Sequence, residues 1–116
     1  MCVVIPSYNN IPNNRYQKIL RTINYQNYSN YHIVFIDDAS SDATFEESKK
    51  YAKEVLKIPD SKIYFHQNSK QKFATYNIRL AAHEFCQPDE IFVLVDGDDE
   101  LVGRNVFRLL NSAYKS

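Results

Sequence analysis

The residues best suited to chemistry in this chain are carboxylates, and they fall in two tight groups. These are Asp37-Asp38-Ala39-Ser40-Ser41-Asp42 and Asp96-Gly97-Asp98-Asp99-Glu100. Carboxylates packed this densely repel one another and stay ionised only beside a counter-charge. A hard divalent cation is the natural one, because it takes oxygen ligands and keeps positions for water and substrate phosphates. The pair Asp96 and Asp98 can offer two carboxylates to such a cation, with Gly97 allowing a tight bend or close ligand approach. The cation would neutralise a diphosphate and stabilise it as a leaving group. Each group also has a plainer reading. Ser40, Ser41 and Asp42 are turn formers and N-caps, and Asp99 and Glu100 would suit a helix N-terminus without any ligand.

Competing uses of these residues fail on spacing. An EF-hand loop starting at Asp96 would need Gly at position 6 and Glu at position 12, where Leu101 and Phe107 stand. A phosphatase-type Asp-x-Asp nucleophile follows the first strand and precedes Thr or Val, whereas this pair comes late and precedes Asp99. A receiver domain would carry its acidic pair at the first strand. With only Gly97 and Gly103 as glycines, neither a GxGxxG nor a GxxxxGK phosphate loop exists. His32, His66 and His83 are scattered and read as surface or structural histidines. Cys2 and Cys86 form no metal spacing and read as reduced thiols of the core. Tyr8 is open between a packing aromatic and a ring that stacks on a base.

These groups act together only if the chain brings them together. Four apolar runs, 2–5, 33–36, 63–65 and 91–95, are rich in Val, Ile and Phe and do not alternate with polar residues. Such runs suit strands buried on both faces of a parallel sheet. Helical spacing follows each of them. Tyr16, Ile19, Leu20 and Ile23 share a face, as do Phe45, Ala52, Val55 and Leu56. Phe73, Asn77, Leu80, Ala81 and Phe85 share another, and Val102, Val106, Leu109, Leu110 and Ala113 a last one. Thr44 to Glu47 reads as a capping box, with Asp42 competing for the N-cap. Pro59-Asp60 and Pro88-Asp89 punctuate the returns from helix to strand. Strand and helix thus alternate as in right-handed βαβ units. The expected fold class is α/β, a three-layer Rossmann-like domain on a mostly parallel sheet of about four strands.

In such a sheet the residues after each strand meet on one edge. Here they are 6–10, 37–42, 66–70 and 96–100, so that edge would carry six aspartates and Glu100 beside an aromatic ring and several amides.

Composition bounds the rest. The 116 residues are one domain's worth, and a chain of this size buries roughly two-thirds of its unfolded surface. Hydrophobic content of 44% and charged content of 24% exclude a disordered chain. Fourteen basic residues balance fourteen acidic ones without a basic block, which argues against nucleic-acid binding. The longest apolar runs, five or six residues, fall far short of a membrane span, and no secretory signal is visible, so a cytoplasmic location is expected. Nothing in the chain covers the last strand, an edge open to self-association.

Set in order, these motifs resemble those of the family two glycosyltransferases of GT-A fold. The segment Val3-Val4-Ile5-Pro6-Ser7-Tyr8-Asn9 resembles their opening strand, and Gln26, Tyr28, Asn30, Tyr31 and Ile33 resemble the approach to the second. Asp37-Asp38-Ala39-Ser40-Ser41-Asp42-Ala43-Thr44 matches the family's DDxSxDxT motif. Asp96-Gly97-Asp98-Asp99 resembles its DxDD metal motif in the DGDD form of one subgroup. The resemblance covers nearly the whole chain. It implies a nucleotide-sugar donor, usually a UDP-sugar, and a Mn²⁺ or Mg²⁺ ion. It implies direct displacement that inverts the anomeric centre, with a carboxylate base on the acceptor side. Pro6, Tyr8 and Asp38 would then contact the base. Asp96, Asp98 and Asp99 would contact the ribose and the metal-diphosphate, Asp98 and Asp99 holding the metal.

Two departures accompany the match. The stretch 68–77 lacks the glycine of the family's Asn/Gly-rich segment, and Glu100 stands where the DGDD subgroup has Trp. The acceptor half and the catalytic base are expected beyond Ser116. The chain would then be a single donor-binding domain, 1–116, that turns nothing over alone, its acceptor a carbohydrate, lipid or protein. Two other classes fit the same acidic edge. One is a noncatalytic module binding a cation or a partner protein, and the other a hydrolase passing the sugar to water.

Overall fold

A computed structural model describes residues 1–115. Strands β1 (Cys2–Ser7), β2 (His32–Asp37), β3 (Ile63–Gln67) and β4 (Phe92–Leu94) form one parallel sheet in the order β3-β2-β1-β4. The helices are α1 (Arg15–Asn24), α2 (Thr44–Lys50), α3 (Phe73–Leu80) and α4 (Val106–Lys115). Both α2 and α3 run on into a wider π-type turn, Tyr51–Val55 and Ala81–Phe85. The fold is the expected α/β class.

Alternation along the strands divides the core in two. Val3, Ile5, Ile33, Phe35 and Ile63 face α1, the extension of α2, and α4, packing with Ile19, Leu20, Ile23, Ala52 and Phe107. Cys2, Val4, Val34 and Ile36 face the other way and meet Ala81 and, at its margin, Phe85 and Cys86. Three helices therefore cover one face and α3 alone covers the other. The α1 stripe predicted by spacing is buried in full, each aliphatic side chain contributing about 1.5–3 kcal/mol.

The single-helix face corrects one expectation. Among the described residues only β1 and β2 are buried on both sides, whereas Tyr64 of β3 and Phe92 and Leu94 of β4 are exposed because no second described helix lies over them. The α4 stripe also shifts. Val102 lies in the loop before the helix, near Gly103 at φ 87°, so the apolar phase starts afresh at Val106 and Phe107 is the fully buried side chain while Leu109 faces solvent. The capping box gives way to a different arrangement. Asp42 accepts the Thr44 N–H at 2.9 Å, and the Thr44 hydroxyl accepts the Asn10 N–H at 2.8 Å. The cysteines are not free thiols: Cys2 and Cys86 form a disulfide, because the start of β1 lies beneath the end of the α3 extension. Among the described residues no helix is long and apolar enough to cross a membrane.

From β1 the chain builds outward through β2 and β3, then returns to place β4 on the opposite side of β1. The connections through α1 and α3 leave on opposite faces, so a crevice opens between the carboxyl ends of β1 and β4, the usual ligand position in an open α/β sheet.

Candidate functional site

At that crevice β1 and β4 stay paired past the end of β4. Val95 N–H donates to Val4 O and Gly97 N–H to Pro6 O, each at 2.9 Å. This approach explains Gly97. A Cβ there would stand 2.8 Å from Pro6 O, 2.9 Å from Ser7 Cβ and 2.6 Å from Asn10 Nδ2. Close approach of the protein's own backbone, rather than a ligand, requires the glycine. A turn then closes with Asp99 N–H on Asp96 O at 3.0 Å. The resulting open cleft, about 220 Å³, is lined by Pro6, Ser7, Tyr8, Asn10, Arg15, Asp38, Ala74, Asn77, Asp96 and Asp98.

The acidic group after β2 divides its labour. Asp37, fully buried, accepts Ser40 N–H at 2.9 Å and the Ser40 hydroxyl at 2.5 Å. Asn9 braces the same loop, its N–H bonding Ser40 Oγ at 2.9 Å and its side-chain oxygen accepting Ser41 N–H at 2.9 Å. Asp42 starts α2. Ser40, Ser41 and Asp42 thus do what turn residues do. Asp38 alone of this group reaches the cleft. Its Oδ1 accepts Lys72 N–H at 2.7 Å and Asn68 Nδ2 at 3.0 Å, and its Oδ2 accepts Phe73 N–H at 2.9 Å. Two non-glycine residues adopt left-handed backbone around it, Ala39 at φ 60° and Phe73 at φ 71°. Such conformations cost of order 1–3 kcal/mol and persist where surrounding contacts impose them.

Two of the carboxylates that line the cleft, Asp38 and Asp96, have pKa values shifted in opposite directions. Burial works against ionising Asp38, but donors from Lys72, Asn68, Phe73 and Asn77 outweigh it and hold the carboxyl below the usual range. Asp96 is pushed up, first by desolvation at the cleft wall and then by the charges of Asp98 and Asp99, with Gly97 N–H opposing. The Asp96 side therefore carries uncompensated negative charge. A hard cation relieves that kind of crowding, and the oxygen donors of Asp96 and Asp98 fit one. Arg15, first residue of α1, is the one basic side chain among those lining the cleft.

The structure brings Pro6, Tyr8, Asp38, Asp96 and Asp98 together around one opening. Tyr8 is 43% exposed there and is not a core aromatic. Asp99 and Glu100 are exposed outside the lining, and His66 faces Asn68 Oδ1 at 3.1 Å. Sequence reasoning missed Arg15 and Asn77 as cleft residues. Asn77 carried a signal, a polar side chain on the apolar stripe of α3, and it is 2% exposed with Oδ1 accepting Asn68 Nδ2 at 2.6 Å. Arg15 carried none, since only the turn after β1 swings it over the cleft.

The profile of glycosyl transferase family 2 matches residues 2–116. The chain belongs to this family. Among solved structures, the family 2 chain is similar to a mannosyltransferase, PcManGT of Pyrobaculum calidifontis, described in complex with GDP-Man and Mn²⁺. The TM-score is 0.77 at 21% identity, over 91% of this chain and 29% of the other. It is similar as well to S. aureus TarS 1-349, with a TM-score of 0.77 at 19% identity over 98% of this chain and 32% of that one. The complex of TarS 1-349 with UDP-GlcNAc gives a TM-score of 0.72 at 19% identity, over 98% and 30% of the two chains. The family 2 chain thus spans about a third of the length of these proteins. No curated protein is significantly similar to it in sequence.

Proposed function

We propose that this family 2 domain is the donor-binding part of a metal-dependent, inverting glycosyltransferase of the DGDD subgroup that uses a nucleotide-sugar, with UDP-sugar the first candidate. The observation that carries the reading is the convergence of Pro6, Tyr8, Asp38, Asp96 and Asp98 on one cleft where the sheet's topology switches. Tyr8 offers an exposed ring on which a base can stack. Asp38, fixed by three hydrogen bonds, keeps acceptor capacity on Oδ2 for a base N–H. Arg15 presents a guanidinium to a diphosphate, the bidentate pairing for which Arg is suited. Asp98, with Asp96 beside it and Asp99 on the same turn, would hold Mn²⁺ or Mg²⁺. Such an ion supplies neutralisation of the diphosphate leaving group.

The 116 residues are read as a single donor domain, with the acceptor site and its general base in the part of the enzyme outside them; the acceptor, carbohydrate, lipid or protein, follows from that part. The exposed β4 edge, with Phe92 and Leu94, is the surface through which copies would associate if no further chain covers it. A noncatalytic cation-binding module draws on one observation, that Asp38 already serves to anchor the start of α3.

NMR titration of UDP into the labelled domain, with and without Mg²⁺, separates the two. Magnesium-dependent shifts at Tyr8, Asp38, Gly97 and Asp98, lost in Asp98→Asn, support the donor site. Magnesium shifts at Asp98 with no response to UDP, repeated in a chain extended past Ser116, favour the noncatalytic module.

A further inference from the structure

A second group of ligand-type side chains lies at the opposite, amino end of the sheet. Cys2 and His32 begin β1 and β2 and are partners in register, so their side chains leave the sheet on the same face. Cys86 and Glu90 flank the tight turn before β4, in which Gln87 N–H donates to Glu90 Oε1 at 2.8 Å and Glu90 N–H to Gln87 O at 3.1 Å. His32 Nε2 stands 2.9 and 2.8 Å from the two carboxylate oxygens of Glu90. Ligand atoms of Cys2, His32 and Glu90 all lie within 4.8 Å of one another. Cys86 Sγ is bonded to Cys2 Sγ, so the fourth donor adjoins the other three.

We propose that, when the Cys2–Cys86 disulfide is reduced, Cys2, Cys86, His32 and Glu90 bind Zn²⁺ or a similar thiophilic divalent ion. Disulfide and metal are then alternative fastenings for this end of the domain. The chemistry balances. A dithiol reductant gives up two electrons and two protons and becomes a disulfide, while the Cys2–Cys86 S–S bond breaks to two thiols. The ion displaces both thiol protons as two metal–sulfur bonds form. His32 binds as neutral imidazole through Nε2, its remaining proton on Nδ1, and Glu90 completes the set.

Two thiolates, an imidazole and a carboxylate are a zinc donor set, and metal bonds of about 2.0–2.3 Å place tetrahedral ligands about 3.3–3.8 Å apart. The cluster therefore needs adjustments of about one to two ångströms, most of it the parting of the two sulfurs once their bond is broken. Cys2 is fully buried, while the side chains of His32 and Glu90 are 35% and 17% accessible, which leaves the ion a way in. The site shares no residue with the acidic cleft. Its oxygen, nitrogen and sulfur donors suit a softer ion than carboxylates alone.

The test is cobalt titration of the chain reduced with a dithiol and desalted without oxygen, beside the disulfide-bonded chain. Thiolate-to-cobalt charge-transfer absorption saturating at one ion per reduced chain, and absent from the oxidised chain, is expected. Oxygen ligands of the cleft cannot produce that band. His32→Gln should weaken cobalt binding by more than about tenfold with only a small change in the melting of the oxidised chain. Should the reduced chain unfold, cobalt is expected to restore its native circular dichroism, since binding and folding are linked. No charge-transfer band, failure of cobalt to restore the fold, or equal affinity in His32→Gln overturns the proposal.

Discussion

At the carboxyl ends of its strands this domain leaves carboxylates and amides around an open cleft, while at the amino ends it ties cysteine, histidine and glutamate into a nearly closed knot. Both clusters hang on the same neighbouring strands, β1 and β2, six residues apart along each. The difference lies in what joins them. The carboxyl end is assembled by hydrogen bonds between three loops, from Asn9 to Ser40 and Ser41 and from Asp38 to Lys72 and Phe73. The amino end is fixed by a covalent bond between positions 84 residues apart. Loops held by hydrogen bonds can yield to a ligand, and a cross-linked end cannot while its disulfide is intact. The same sheet thus offers a responsive rim and a fixed base.

Removing the cross-link should have the largest effect. Cys86→Ser is expected to cost about 2–5 kcal/mol in denaturant unfolding while leaving the UDP-induced shifts at Tyr8 in place. If those shifts vanish as well, the two ends are not independent. Next comes Gly97→Ala, which drives a Cβ against the Pro6 carbonyl and should cost about 1–3 kcal/mol. It should abolish the UDP response, because the pairing of β1 with the turn after β4 shapes the cleft. An undisturbed titration in this variant would detach the cleft from that pairing.

Asp38→Asn removes a charged acceptor from two backbone N–H groups and should cost about 1–3 kcal/mol. Its pH signature is specific. The folded carboxyl is held below its ordinary value, so the unfolded chain binds the proton first. The stabilisation is present above the unfolded pKa and is lost as pH falls through the folded one. Urea midpoints should therefore fall more steeply between neutral and acid pH in the native chain than in Asp38→Asn. Parallel slopes would remove the charge from the account of the rim. The smallest effect belongs to His32→Gln in the oxidised chain. There the partly exposed pair with Glu90 is screened, and its loss should shift stability by less than about 1 kcal/mol. A larger loss would mean that the pair, and not the disulfide, fixes the base.

Periodicity and adjacency are local properties, and they carried far. The buried stripe of α1, the four strands and the cleft positions of Pro6, Tyr8, Asp38, Asp96 and Asp98 were legible because each depends on neighbours in the chain and on a topology that parallel strands impose. The family match spans residues 2–116, the stretch that holds these ordered motifs. What the chain alone left open depends on contacts between distant segments. That one helix, not two, covers the second face decides that Tyr64, Phe92 and Leu94 are exposed. The crossing of β1 with the end of α3 turns two distant cysteines into a disulfide beside His32 and Glu90, which no linear spacing encodes. Gly97 meets Pro6 only because β4 returns beside β1, and Arg15 reaches the cleft only through the turn after β1. Local sequence chose the elements and their chemical edges, since propensity and hydrophobic period act over a few residues. The tertiary structure chose the partners, since a contact between remote positions exists only once the sheet is built.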